Sequence, residues 1–498
     1  MKATEKNELT NTMNTTLKTI GDLKKAKYVS KSIKTELRDN LIQALQAGEK
    51  TFQGMHGYEQ SVIPQLERAI LSKHNINLLG LRGQGKTKIA RLMIQLLDEY
   101  IPIVAGSEIN DDPFAPISRY AKDIIREKGD ATPIDWLHRD ERFFEKLATP
   151  DVTIADLIGD IDPIKAANLK LSYADDRVLH FGMIPRANRC LFVINELPDL
   201  QARIQVALFN ILEEGDIQIR GFKLRMALDL QFVFTANPED YTNRGSIVTP
   251  LKDRIGSQIL THYAYDLQTA KRITKQETEK SSSRAIDVYV PELAKDLLEQ
   301  IAFEARVSEF VDPKSGVSAR MSITGYENLI STAERRSLLN GEKQTSVRFS
   351  DLMGMIPSIT GKVELVYEGE QEGSDFVANH LISEATKTLF LMRFPKIEKL
   401  KKPNQTTVYD AVLDWFVQAD NIELSDEATN KEYQKVLSSL KPLDELLRIY
   451  QPELAKEDVN FLKEFILWAL VELKQLSKKR TEKGILFNDM FDSYIKTL

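Results

Sequence analysis

The chain has a single cysteine, Cys190, in 498 residues. No intrachain disulfide is available to it, and no cysteine cluster can hold a metal. Cys190 sits in an apolar run and is expected to be a small core residue. No stretch is apolar over the roughly 20 residues that a membrane-spanning helix needs. Residues 1–14 lack the apolar core of a signal peptide, so the expected location is cytoplasmic. A basic excess is missing too. There are 67 Lys and Arg against 73 Asp and Glu, for a net charge of −6. That argues against a broadly basic surface, and nucleic acid is not an expected partner. Neither an internal repeat nor a long low-complexity tract is present. What remains is an ordinary globular composition, 42% hydrophobic and 28% charged, in a chain long enough for several domains.

Glycine is scarce in residues 1–52, where only Gly21 and Gly48 occur, and lysine is frequent. This stretch is expected to be an N-terminal helical arm. Glycine then concentrates at one place. Gly80, Leu81, Arg82, Gly83, Gln84, Gly85, Lys86 and Thr87 form a complete GxxxxGK[ST] phosphate-binding loop. Ile76-Asn77-Leu78-Leu79 before it can be a buried strand, and Ile89, Leu92, Met93, Leu96 and Leu97 after it have helical spacing. Strand, glycine loop and helix are the setting this motif requires. The glycines allow backbone N–H groups to turn inward around phosphates, and the helix N-terminus favours an anion. Lys86 would reach the β- and γ-phosphates of ATP, and the Thr87 hydroxyl would ligate Mg²⁺.

From the loop to about residue 264, apolar runs alternate with helical patterns. Ile101 to Val104 is one run, Leu191 to Ile194 a second, and Leu230 to Thr235 a third. This alternation predicts a mainly parallel sheet with helices on both faces, an α/β fold. Ligands on such sheets bind beyond the carboxyl ends of the strands. Two polar strand ends would meet the phosphate loop there. Asn195-Glu196 follows the second run, and Asn237-Pro238 the third. Glu196 can act as a base on water, or simply cap the next helix. Asn237 can hold that water without adding charge, or serve as a turn residue before Pro238. Residues 215–226 suggest a hairpin, with Ile217 and Ile219 alternating with polar residues. Phe222 at its turn, with Arg220, Lys223 and Arg225, could grip a partner or form an ordinary solvated turn.

Past residue 265 the strand signal fades. Residues 266–361 are expected to be a helical lid, 362–374 a strand or linker, and 375–498 a helical region. Ile382, Ala385, Leu389, Phe390, Phe461, Phe465, Leu467 and Leu470 are its expected core. The nucleotide-binding α/β domain is expected over residues 53–265.

These motifs resemble the Walker A, Walker B and sensor 1 motifs of the AAA+ ATPases, a P-loop NTPase fold with a helical lid. The branch they most resemble holds the magnesium chelatase ATPase subunit and the MoxR proteins. Residues 156–163, Asp-Leu-Ile-Gly-Asp-Ile-Asp-Pro, are similar to the entry to that branch's helix-2 insert. Residues 182–189, Gly-Met-Ile-Pro-Arg-Ala-Asn-Arg, are similar to its approach to Walker B. Residues 251–256, Leu-Lys-Asp-Arg-Ile-Gly, resemble its arginine-finger motif. The resemblance covers roughly residues 57–336, not the arm or the last third.

The resemblance implies further roles. Arg254 would be the finger that reaches a neighbouring subunit's nucleotide. Arg320, in Ser318-Ala319-Arg320-Met321, would be sensor 2 on the lid. Both suit an arginine, whose planar fork pairs two phosphate oxygens. A surface salt bridge is the plainer reading of each. It also implies a homo-oligomeric, hexameric ring acting on a protein partner, one with a von Willebrand factor A domain. One position departs from the family, whose Walker B motif ends in Asp-Glu where this chain has Asn195-Glu196. Asn keeps the shape and a carbonyl acceptor but loses the charge. Restoring it with Asn195→Asp is expected to leave hydrolysis equal or faster. Other readings stay open. A true magnesium chelatase ATPase subunit would lack the long C-terminal region. A slow ATP-gated scaffold would suit Asn195. An enhancer-binding transcription activator would need a Gly-Ala-Phe-Thr-Gly-Ala loop, which is missing.

Overall fold

The computed structural model describes residues 15–170, 178–218, 225–238, 246–279, 284–397, 407–418 and 421–490. The chain divides into two compact units between His262 and Tyr263.

A five-stranded parallel sheet forms the centre of the first unit. Its strands are β1 (Ile76–Leu79), β2 (Phe143–Leu147), β3 (Cys190–Asn195), β4 (Leu230–Ala236) and β5 (Ser257–Leu260). They lie in the order β5-β1-β4-β3-β2, every neighbour parallel. All of β3 and β4 is buried. Strands covered on both faces have no polar side to show, which is why they appear in the sequence as unbroken apolar runs.

Alternation along each strand sorts these residues into two layers. Leu191, Val193, Val233, Ile76 and Leu78 face one cluster, which α1 (Ile33–Ala47), α2 (Val62–Leu71) and α3 (Lys86–Leu92) cover. Cys190, Phe192, Ile194, Phe232 and Phe234 face the other. The Phe192 and Phe232 rings meet edge-on at 5.7 Å. Such a pair contributes about 0.5–1.5 kcal/mol beyond the area it buries.

Within the expected N-terminal arm, α1 packs into this unit. Ser32 caps α1 and Gly48 ends it in the left-handed region at φ 72°. Ile33, Leu37 and Leu41, one turn apart, join the same cluster as Ile76 and Val233. One expectation is corrected. Tyr100–Val104 does not join the parallel sheet but pairs antiparallel with Ile134–His138 in a separate two-stranded sheet. Pro102 lies in its middle and has no N–H to donate, so a central place was closed to it.

In the second unit one apolar core runs from Val290 to Phe487. Its main helices are α4 (Glu292–Val307), α5 (Ala319–Leu339), α6 (Ser374–Arg393) and α7 (Val459–Glu472). All eight expected core residues of this region are buried, from Ile382 to Leu470. Strands are present too, where only helices were expected. Ile422–Ser425, Gly484–Asp489 and Leu476–Arg480 form an antiparallel sheet. The last of these reads Leu-Ser-Lys-Lys-Arg and carries no apolar alternation to reveal it. Tyr367–Glu372, inside the expected linker, is a short helix that Gly373 ends at φ 93°. Among the described residues, no helix is long and apolar enough to cross a membrane.

Candidate functional site

The loop between β1 and α3 has the backbone that its glycines suggest. Gly83 and Gly85 both lie in the left-handed region, at φ 70° and 76°. Gly80 is crowded, and a Cβ there would overlap the side-chain oxygens of Thr261 and Gln84. Those two side chains are themselves bonded at 2.6 Å. The Tyr58 hydroxyl lies 2.8 Å from the carbonyl oxygens of both Gln84 and His262. The loop is thus braced from the approach to α2 and from the end of β5.

Lys86 is buried, with 8% exposure. Its ammonium donates to the carbonyl of Gly80, to that of Leu81 at 3.0 Å, and to Asn237 Oδ1 at 2.7 Å. Asn237 then donates through Nδ2 to Glu196 Oε2 at 3.0 Å. Three residues, from the start of α3 and from the ends of β3 and β4, therefore form one chain, Lys86–Asn237–Glu196, at the carboxyl edge of the sheet. Asn237 is 7% exposed. Glu196 is held in a left-handed conformation, φ 54° and ψ 51°, uncommon for a non-glycine residue. Its N–H donates to Thr235 Oγ1 at 3.1 Å, which fixes the turn that presents the carboxylate.

Asn195 makes a parallel set of bonds. Its Oδ1 accepts from Thr235 Oγ1 at 3.1 Å and from Thr87 Oγ1 at a longer 3.4 Å. Its Nδ2 donates to Glu145 Oε1 at 2.6 Å. Glu145 also accepts from Arg91 Nη2 on α3 at 2.7 Å. Thr235, Glu145, Tyr58 and Thr261 were not singled out in the sequence. A threonine two residues before Asn237 gave a faint signal; the others gave none.

The donor set suits a magnesium nucleotide. The Lys86 ammonium is turned on loop carbonyls that phosphate oxygens could replace. The Thr87 hydroxyl and the oxygens behind it are hard donors of the kind Mg²⁺ takes. Among the described residues, no group of three or more His, Cys, Asp or Glu side chains could hold a metal alone. A cation here would come with its phosphates, as Mg²⁺ does at nucleotide sites.

The two arginines expected at the site are Arg254 and Arg320. Arg254 ends the helix Thr249–Arg254. It is partly exposed, pairs with Glu213 at 2.7 Å and lies 5.1 Å over the Phe209 ring. Arg320 belongs to the second unit, exposed in the first turn of α5 behind the cap Ser318. The expected hairpin is present, with Asp216–Gln218 paired to Arg225–Ala227. Ile217 and Met226 anchor it in the core. Arg220, Phe222 and Lys223 at its turn, and the side chain of Arg225, lie outside the described residues.

No family model and no curated protein sequence matches the chain. Solved structures show a weak likeness. NtrX from Brucella abortus is 15% identical, with a TM-score of 0.34, over 59% of this chain and 56% of its own. The complex of subunits BchI and BchD of magnesium chelatase is 17% identical, with a TM-score of 0.34, over 64% and 98%. RuvB from Thermotoga maritima is 12% identical, with a TM-score of 0.31, over 93% of each. This chain thus spans just over half of the NtrX chain. The reading of the site stands on its own geometry.

Proposed function

We propose that the chain binds ATP with Mg²⁺ at the carboxyl edge of the central sheet and hydrolyses it. On this reading it is an AAA+ ATPase of the magnesium chelatase and MoxR type, cytoplasmic and working in an oligomeric ring on a protein partner. The observation that carries it is the bonded chain Lys86–Asn237–Glu196 beside the phosphate loop. A cation for phosphates, an amide for water and a carboxylate for the proton stand in the order that hydrolysis needs.

Lys86 and the amides of residues 80–87 hold the phosphates. Thr87 holds Mg²⁺, which when bound offsets charge on the phosphate oxygens. Glu196 accepts the proton of the attacking water, a contribution of about 10²–10⁴-fold for a well-placed base. Asn237 orients that water. Arg254, only partly exposed and paired with Glu213, exchanges that partner for the nucleotide of a neighbouring subunit. A finger of this kind contributes about 10³-fold or more. Arg320 contacts the γ-phosphate from the lid, residues 266–361. The hairpin that carries Phe222 grips the partner. A von Willebrand factor A domain in that partner remains part of the reading through the family resemblance.

Lys86→Ala is expected to abolish ATP binding. Glu196→Gln is expected to keep binding and lose phosphate release. A Glu196→Gln variant that hydrolyses ATP like the wild type would remove the base assignment. Arg254→Ala is expected to bind ATP and not hydrolyse it, and mixing it with Glu196→Gln should recover some activity. Specific activity that stays constant down to monomer, with Arg254→Ala unimpaired, rules the trans finger out.

A further inference from the structure

We propose that Glu145 is the positioning carboxylate of the metal side of the site and acts through Asn195. This rests on the reading of residues 80–87 as a Mg²⁺–nucleotide site.

The strand register sets up the pair. In the parallel ladder Glu145 lies opposite Val193 and Leu147 opposite Asn195. Side chains alternate along a strand, so Glu145 and Asn195 share a face, one pleat apart. The result is a 2.6 Å bond from Asn195 Nδ2 to Glu145 Oε1, short because the acceptor is charged. A carboxylate can only accept, so it fixes which way the amide points. The nitrogen must face Glu145, and Oδ1 must face Thr87 and Thr235. The same bond polarises the amide and makes Oδ1 a stronger acceptor for the Thr87 hydroxyl. Asn237 repeats the device, with Nδ2 on Glu196 and Oδ1 on Lys86. The negative charge absent from position 195 is therefore present one strand away. The Arg91 partner of Glu145 is 63% exposed, so water screens much of its opposing charge.

This geometry gives Asn195→Asp a cost in stability. An aspartate there would set two carboxylates in contact. The wild type holds one carboxylate at the pair, Glu145→Gln none, Asn195→Asp two, and the exchange Asn195→Asp with Glu145→Gln one again. In the exchanged pair the introduced glutamine amide can donate to the new carboxylate, so the bond survives with its charge moved closer to Thr87.

The test is the Mg²⁺ dependence of binding of a fluorescent ADP analogue to the full chain, with melting temperature measured in parallel. Losing the partner of a metal ligand typically weakens metal binding by about 10–100-fold; Glu145 stands one bond beyond Asn195, the partner of Thr87, so Glu145→Gln is expected at the low end, with a half-saturating Mg²⁺ about tenfold higher. Its binding of the analogue without Mg²⁺ should match the wild type. Asn195→Asp should melt lower without Mg²⁺ and regain stability as Mg²⁺ and nucleotide are added. The exchange variant should return to within about threefold of wild-type Mg²⁺ dependence, since one carboxylate again backs the ligand. Glu145→Gln with unchanged Mg²⁺ dependence would overturn the proposal. So would an exchange variant that melts like the wild type but needs as much Mg²⁺ as Glu145→Gln. Lys86→Ala is the control. If it binds the analogue like the wild type, the nucleotide site is wrong, whatever Glu145 does.

Discussion

The two ends of the central sheet use buried polar groups in opposite ways. At the amino end Arg142, fully buried just before β2, grips Glu36 of α1 with both arms, at 2.6 and 2.7 Å. The same guanidinium donates to the Arg189 carbonyl at 3.0 and 2.8 Å. Nearby, Asp229 accepts the Ile33 N–H at 2.7 Å. Full charge meets full charge, and the set is closed within the chain. At the carboxyl end the pairing runs through neutral groups. Asn237 stands between Lys86 and Glu196, and Asn195 between Thr87 and Glu145. Each amide orients the groups on both its sides, and Asn237 does so without cancelling the charge of either Lys86 or Glu196. The first arrangement suits holding an element in place; the second suits receiving an ionic ligand.

The comparison can be broken from its closed end. Glu36→Ala leaves the Arg142 charge buried and should cost about 3–5 kcal/mol in urea unfolding. Glu36→Leu with Arg142→Met should recover most of that loss, because a well-packed apolar pair avoids the desolvation penalty. Nucleotide affinity of the folded fraction should not change in either variant. A fall in affinity that tracks the lost stability would show that the two ends are not separate.

A middle-sized effect is expected from Thr235→Val, which keeps the shape and removes the hydroxyl between Asn195 and the Glu196 N–H. It leaves buried groups unsatisfied and should cost about 1–3 kcal/mol, with hydrolysis falling as Glu196 loosens. Loss of stability with full hydrolysis would place Thr235 outside the working set.

The smallest effect belongs to Arg91→Ala. Exposed ion pairs contribute about 1 kcal/mol or less, so unfolding should hardly move. A slightly lower Mg²⁺ requirement is expected, since the charge opposing Glu145 is gone. Cys190 supplies a reporter for all of these. Burial pushes its thiol up to about 12, so a thiol reagent at about pH 8 should label only molecules that have opened.

The sequence made the covalently local parts of this picture readable. The glycine loop, Lys86 and Thr87 lie within eight residues, and the apolar runs of β3 and β4 point to the strand ends that carry Asn195, Glu196 and Asn237. What stayed hidden depends on register between distant strands. Glu145 sits in Phe-Phe-Glu-Lys-Leu, a half-exposed edge strand with weak alternation. Nothing local says that it faces Asn195, 50 residues away. Glu36 and Arg142 are 106 residues apart, and neither stands out among the chain's many charges. Tyr58 carries no local sign that the fold will bring the Gln84 and His262 carbonyls to its hydroxyl.

The strand order also carries a consequence for synthesis. β1 is laid down early, yet both of its neighbours, β4 and β5, come late. Lys86 and Asn237 are 151 residues apart. A ribosome adding about 5–20 residues per second needs roughly 8–30 s to travel between them. Through that interval the apolar strand Ile76–Leu79 has neither edge partner, and the phosphate loop has no Asn237 or Thr261 to settle against. The nascent chain should thus be most exposed to mispairing before residue 260 emerges, and a ribosome pause after β1 would lengthen that interval.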